Sequence, residues 1–182
     1  MESENILAIW RRCSLSDRNA QSQLYQLYAE KMYSICLRYT NSIEEAQDIL
    51  QNGFIKVFTK SNLYEGKGSL EGWIKRIIIN TAIEHFRRQK LKFQTTDQIN
   101  ENQIEESSFS ASSILEYKDL MHLVQNLPLG YRTVFNLYAI EGYNHKEISE
   151  MLQISEGNSK SQLSRARSWL KDRLIKMEEF GT

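Results

Sequence analysis

The polar side chains best suited to chemistry lie near the C-terminal end, in HKEISEMLQISEGNSKSQLSRARSWL, residues 145–170. At about 100° per residue, Asn158, Ser161 and Arg165 fall within about 60° of one another on a helix, with Gln162 flanking them. The chemistry this row offers is recognition. Asn and Gln match adenine edges and Arg matches guanine, while small neighbours let the row enter a major groove whose phosphate walls exclude bulky apolar groups. Leu163, Ala166, Leu170 and Leu174 recur three, four and four residues apart and mark the buried side. Asp172 returns to the reading face further on, so DNA must have left the helix by that point.

The elements that must present this row are legible from caps. Asn144 with Glu147 predicts a capped two-turn helix burying Ile148 and Leu152; Gln153-Ile154-Ser155 is a short connection, and Ser155 caps the helix that follows. That is the helix-turn-helix pattern. An amphipathic helix that merely starts polar is the competing reading, and the agreement of turn, caps and basic flank favours the groove-reading one.

A second constellation is GSLEGWIKRIIINTAIEHFRRQKLK, residues 68–92. Ile74, Ile78, Ile79, Ala82 and Phe86 fill one arc, and Trp73, Arg76, Asn80 and Arg87 share another spanning about 60°. A ring that stacks, guanidiniums that neutralise a backbone and an amide that meets a base edge suit single-stranded nucleic acid. By itself this signal is weak, and a core Trp73 beside solvated cations is the competing reading.

Charge is distributed in blocks. Lys+Arg 23 and Asp+Glu 23 cancel over the 182 residues. Yet Trp73–Lys92 holds six cations against Glu84, Asp97–Asp119 holds six anions against Lys118, and Ser155–Lys176 holds six cations against Glu156 and Asp172. Cys13 and Cys36 are far apart with no nearby His, which predicts two reduced, buried thiols and no zinc site or disulfide. His85, His122 and His145 are dispersed and read as surface or cap residues. The N-terminal MESENILAIWRRC is neither a signal peptide nor a membrane span, so a cytoplasmic protein is expected.

Apolar residues recur at three and four nearly throughout, and proline occurs once, at Pro128. The expected fold is all-α: two small helical domains joined by a flexible acidic linker, the C-terminal one a helix-turn-helix. Asp17 is expected to cap a helix buried through Leu24, Leu27 or Tyr28, Met32, Ile35 and Tyr39. Ser42 with Glu45 caps the next, which buries Ile43, Ala46, Leu50, Phe54, Val57 and Phe58. The Gly-rich loop YEGKGS leads to a third, from about Leu70 to about Lys92. Periodicity vanishes in the Gln-, Asn-, Glu- and Ser-rich stretch before residue 114. The boundaries are therefore 1–93, a linker 94–113, and 114–182, where further helices start near Ile114 and at Pro128.

Both constellations, in this order, resemble the small two-domain sigma factors of bacterial RNA polymerase, the extracytoplasmic-function (ECF) type. AQDILQNGFIKVF resembles the family's Asp-hydrophobic-hydrophobic-Gln-x-x-Phe helix, and GWIKRIIINTAIEHFRR its Trp-x-x-Arg-Ile-x-x-Asn segment. From Leu127 to Leu170 the chain follows the family's Leu-Pro-x-x-x-Arg start, Glu-Ile helix and Lys-Ser-x-Leu-x-Arg-Ala recognition helix. The resemblance covers nearly the whole chain.

It implies a sigma factor that binds core RNA polymerase through the β′ and β subunits, directs it to promoters and helps open the minus-ten element. Asp48, Gln51, Asn52 and Ile55 would dock on the β′ coiled coil. Tyr64, Lys67 and Ser69 of the loop, with Trp73, Arg76, Asn80 and Arg87, would hold the melted non-template strand, one base being flipped into the loop. Asn158, Ser161, Gln162 and Arg165 would read the minus-thirty-five element as duplex, with Arg132, Lys146 and Lys160 on phosphates. The tether would thread the RNA exit path, and an anti-sigma factor or another recruiting protein is a further implied partner. No catalytic residue, cofactor or metal is implied.

The chain departs from the family pattern at three places. Gly53 interrupts the docking helix, at about 1 kcal/mol relative to Ala. Leu70 stands where an aromatic is frequent. Asn158-Ser159 replaces a common Thr-Val pair, and Ser159 turns inward, so weaker seating of the helix is expected. Two other classes compete. A stand-alone helix-turn-helix regulator would bind duplex DNA tightly without polymerase. A helical hydrolase would need a converging acid, base or metal cluster that the dispersed His and Cys residues do not supply.

Overall fold

A computed structural model describes residues 2–94 and 117–180, and the side chains of 5–89 and 120–177. Every regular element among the described residues is helical: α1 Glu2–Ser14, α2 Arg18–Leu37, α3 Ile43–Thr59, α4 Leu70–Gln94, α5 Tyr117–Gln125, α6 Leu129–Phe135, α7 His145–Leu152 and α8 Glu156–Phe180. A 3-10 turn, Ser61–Leu63, and a π-helical turn, Asn136–Ile140, complete them. The chain divides into units Met1–Arg88 and Gln89–Thr182. The expected linker 94–113 and the helix start near Ile114 lie, apart from Gln94, outside the described residues.

The first unit is built from caps and stripes. Asp17 accepts from the backbone N–H groups of Asn19 at 2.9 Å and Ala20 at 3.2 Å, starting α2, and also receives the Arg12 guanidinium, which holds its carboxyl below the usual range. Ala20, Leu24, Tyr28, Met32, Ile35 and Cys36 then bury one side of α2; at the ambiguous position it is Tyr28 that turns inward, leaving Leu27 exposed. Ser42 caps α3 by accepting from Glu45 N–H at 3.2 Å, whereas the Glu45 carboxylate reaches Asn41 N–H rather than that of Ser42. Ile43, expected in the core, is exposed, because the first residue of α3 lies beyond the stripe that Ala46, Ile49, Leu50 and Val57 bury.

Gly53 is a packing device rather than a blemish. A Cβ at that position would meet the end of the buried Ile78 side chain, which would have to shift, so the missing methyl gives Ile78 of α4 its place against α3. The helix-propensity cost read from sequence is offset by burial of Ile74, Ile78 and Ile79, each contributing about 1.5–3 kcal/mol. Leu70 is likewise buried and belongs to this core, not to the loop's exposed rim. Burial pushes the thiols of Cys13 up to about 11 and Cys36 up to about 12, which leaves both as neutral core residues at pH 7.

In the second unit Leu123, Val124 and Leu127 pack against Ala166 and Leu170, with Tyr131, Phe135, Trp169 and Leu174 at the margin. The α7 cap is reciprocal: Asn144 accepts from Glu147 N–H at 3.0 Å while the Glu147 carboxylate accepts from Asn144 N–H at 2.8 Å. Gln153 ends α7 in the left-handed region, φ 54°, and turns the chain sharply into α8.

Candidate nucleic-acid interface

The α8 row stands as its spacing requires. Ser155 accepts from Asn158 N–H at 3.1 Å, fixing the first turn of α8 outside the core, and Asn158, Ser161 and Arg165 are exposed, with Gln162 half-buried beside them. The row is braced. The Gln162 side-chain amide donates to Asn158 Oδ1 at 2.9 Å, and Arg165 donates to the Tyr131 hydroxyl of α6 at 3.3 Å. Both contacts hold long side chains near one rotamer, which lowers the ordering cost of meeting base edges.

The inward Ser159 does not loosen the helix. It is 0% exposed, yet its hydroxyl meets His145 Nδ1 at 2.9 Å, so the buried polar group is satisfied and α7 is tied to α8. His145 is accordingly more than a surface cap: its ring stacks on Tyr138 at 4.7 Å, and Arg167 lies over the other partner of that stack, 5.7 Å from the Tyr138 centroid.

Among the phosphate-contacting candidates, Lys146 and Lys160 are exposed, Lys160 lying 3.8 Å from Glu156. Arg132 is not available for that role. It is 2% exposed and its guanidinium donates to the Gln125 carbonyl oxygen, tying α6 to the end of α5. Cations that sequence reading missed lie elsewhere on α8. His145, Lys160, Ser164, Arg167, Ser168 and Lys171 line a shallow groove of about 330 Å³ floored by Leu163, with no acidic residue among them. Their spacing of four, three, one and three along α8 places them on one side of the helix, a pattern that net charge alone conceals.

On α4, Arg76 and Asn80 are exposed, whereas Trp73 and Arg87 are half-buried. The core reading of Trp73 holds in part: the residue is half-buried, with its ring 5.6 Å from Tyr64 and 5.3 Å from Trp10, and some of its surface stays open. In the adjoining loop Lys67 pairs with Glu65, both exposed, and Ser69 caps α4 by accepting from Gly72 N–H at 3.0 Å. On α3, Asp48, Gln51, Asn52 and Ile55 are all exposed within about 100° of the wheel. Ile55, 54% exposed between polar neighbours, gives that face an apolar anchor. Among the described residues no group of three His, Cys, Asp or Glu is placed to hold a metal, and no helix is long and apolar enough to cross a membrane.

A helix-turn-helix with a braced polar row, in a chain whose other unit bears an aromatic and basic helix face, defines a DNA-binding class of protein. Residues 24–92 match the family model for Sigma-70 region 2, and residues 117–170 that for Sigma-70, region 4. The chain belongs to the sigma-70 family as an RNA polymerase sigma factor of the ECF type. It binds core RNA polymerase and directs promoter-specific transcription initiation, a non-catalytic role.

It is similar to the ECF RNA polymerase sigma factor SigM of Bacillus subtilis, 29% identical over 150 residues, covering 82% of this chain and 91% of that one. SigW of the same organism is 27% identical over 169 residues, covering 87% and 90%. Among solved structures, the sigma factor RpoE of Bartonella quintana, in a co-crystal with the anti-sigma factor NepR, shares the fold with TM-score 0.51 and 20% identity, covering 85% of this chain and 96% of that one.

Proposed function

We propose a division of labour in which each helix face addresses one state of the promoter. Residues 1–93 form the polymerase-docking and minus-ten domain, 94–113 the tether through the RNA exit path, and 114–182 the minus-thirty-five domain. Asp48, Gln51, Asn52 and Ile55 of α3 dock on the β′ coiled coil, with the apolar Ile55 side chain at the centre. Arg76, Asn80 and the open part of Trp73, with the Tyr64–Ser69 loop, hold the melted non-template strand after one base has been flipped. Asn158, Ser161, Gln162 and Arg165 read the minus-thirty-five duplex from the major groove, and Lys146, Lys160, Arg167 and Lys171 contact its phosphates. Arg132 takes no part in binding.

The observation that carries this reading is the capped, braced and exposed row Asn158–Arg165, whose side chains lack the bulk that would bar them from a groove. The protein works in the cytoplasm, where core polymerase is. An anti-sigma factor, the kind of partner present in the Bartonella quintana co-crystal, is the regulator expected here. Transcription in vitro with purified core polymerase and genomic DNA, followed by start-site mapping, tests the whole reading. A set of start sites sharing upstream and minus-ten sequences, lost upstream with Arg165→Ala, is the expected result. Start sites without a common upstream element would overturn the assignment of α8.

A further inference from the structure

The loop proposed to capture the flipped base is held by very little. From Glu65 to Ser69 every residue is exposed, and Gly66 and Gly68 take φ 75° and 80°, conformations that favour glycine at both positions. It is fastened at its two ends. Ser69 caps α4. Tyr64, half-buried, donates from its hydroxyl to the Gly68 carbonyl oxygen at 2.9 Å, closing the loop on itself. The placement of the Tyr64 ring therefore sets the placement of the loop.

That ring is held by a third aromatic from a distant part of the chain. Trp10, on α1, is 6% exposed and sits edge-on to Tyr64, with centroids 5.7 Å apart at 90°, and to Trp73, 5.3 Å apart at 69°. With Tyr64 and Trp73 at 5.6 Å, the three rings form a closed triangle in which every pair is in contact. One corner carries the loop, another lies on the α4 face with Arg76 and Asn80, and the buried corner is Trp10. α1 precedes the residues matched to Sigma-70 region 2, which begin at 24.

We propose that Trp10 is a positioning residue for melted-strand capture, fixing the Tyr64–Ser69 loop and Trp73 in one mutual pose. The proposal rests on the reading of that loop and the α4 face as the minus-ten strand site. Trp10 touches no DNA. Its role is to keep the loop and the exposed part of Trp73 from adopting many poses, so that a flipped base meets a formed pocket rather than having to order one.

The test uses holoenzyme assembled from core polymerase and Trp10→Leu, which keeps apolar bulk but removes both ring contacts, beside Trp10→Phe, which keeps a ring. Binding is measured to fork-junction DNA carrying a single-stranded minus-ten segment, with each base in turn at the flipped position, and to a minus-thirty-five duplex. Trp10→Leu should weaken capture of the single strand about tenfold and flatten base preference, leaving core affinity and duplex binding unchanged, while Trp10→Phe stays within about twofold. A folded Trp10→Leu protein that captures the strand with native affinity and preference overturns the proposal. If Trp10→Leu does not fold, Trp10→Met, which also lacks a ring but fills more of the space, decides. Flattened base preference supports the proposal; native preference overturns it. Asn80→Ala separates the two levels: if it too leaves strand capture intact, the strand site itself is misplaced, whereas loss with Asn80→Ala but not Trp10→Leu rejects Trp10 alone.

Discussion

The α4 face and the α8 row, both proposed to address DNA, are built from opposite materials. On α4 the central group is an indole wedged among other aromatics, with an exposed amide and guanidinium beside it. On α8 the row is small and polar, steadied by hydrogen bonds from its flanks. On the proposed assignment, the difference follows the state of the ligand. Unpaired bases expose flat faces, which a fixed ring can stack against, whereas paired bases expose only edges in a groove, which hydrogen-bonding groups on a slim helix can reach. Rigidity is supplied by packing in the first case and by polar braces in the second.

Arg132 gives the largest expected effect and breaks the comparison on one side only. Its guanidinium joins α6 to α5 within the second unit, so Arg132→Ala removes a buried hydrogen bond and opens space in the core. A loss of about 2–4 kcal/mol of stability in that unit is expected. Hydrogen exchange resolved by segment should show α5–α8 losing protection while α2–α4 keep theirs. A variant that is fully stable but fails to bind DNA would restore Arg132 to the phosphate contacts.

Arg165→Ala and Asn80→Ala form a crossed pair at the next scale. Arg165→Ala should weaken minus-thirty-five binding by about 1–3 kcal/mol with unaltered thermal stability, since the side chain is exposed and its bond to Tyr131 is long. Asn80→Ala should slow strand opening, followed by permanganate footprinting, with polymerase association intact. If either substitution damaged both steps equally, the two faces would not be separate sites.

How much of this was legible in the sequence depended on distance along the chain. The caps at Asp17, Ser42, Asn144 and Ser155 were readable because each bond closes within three residues. The α8 row was readable because its stripe is periodic. What failed needed partners from afar. Ser159 looked like a buried hydroxyl without a partner until His145, fourteen residues away, was found against it. Gly53 looked like a weak point until Ile78 occupied the space of its missing side chain. Arg132 carried a charge that local pattern assigns to the surface, and Trp73 could not be divided between core and ligand without Trp10.

A smaller effect sharpens the account of duplex binding. The groove beside the proposed reading row presents Lys160, Arg167 and Lys171, and the exposed Arg167 lies over the Tyr138 ring. If these cations meet phosphates, Arg167→Ala and Lys171→Ala should each lower the slope of log affinity against log salt by about 0.9, equally for all promoter sequences. Arg165→Ala should instead alter sequence preference. An unchanged salt slope in both groove variants would remove the groove from the DNA contacts.

The smallest expected effect concerns the turn that aims α8. Gln153 adopts φ 54° with its N–H on the Ser149 carbonyl oxygen, a conformation that an L side chain resists and glycine accepts. Gln153→Gly relieves that strain but also loosens the unfolded chain, so the net gain should be modest, about 0.5–1 kcal/mol in the duplex-reading unit. Because the substitution touches neither the braced row nor α4, strand capture should be unchanged and minus-thirty-five affinity should stay within about twofold. A clear drop in duplex affinity despite higher stability would mean that the strained turn helps set the angle at which α8 enters the groove, and that the polar braces alone do not define the reading face.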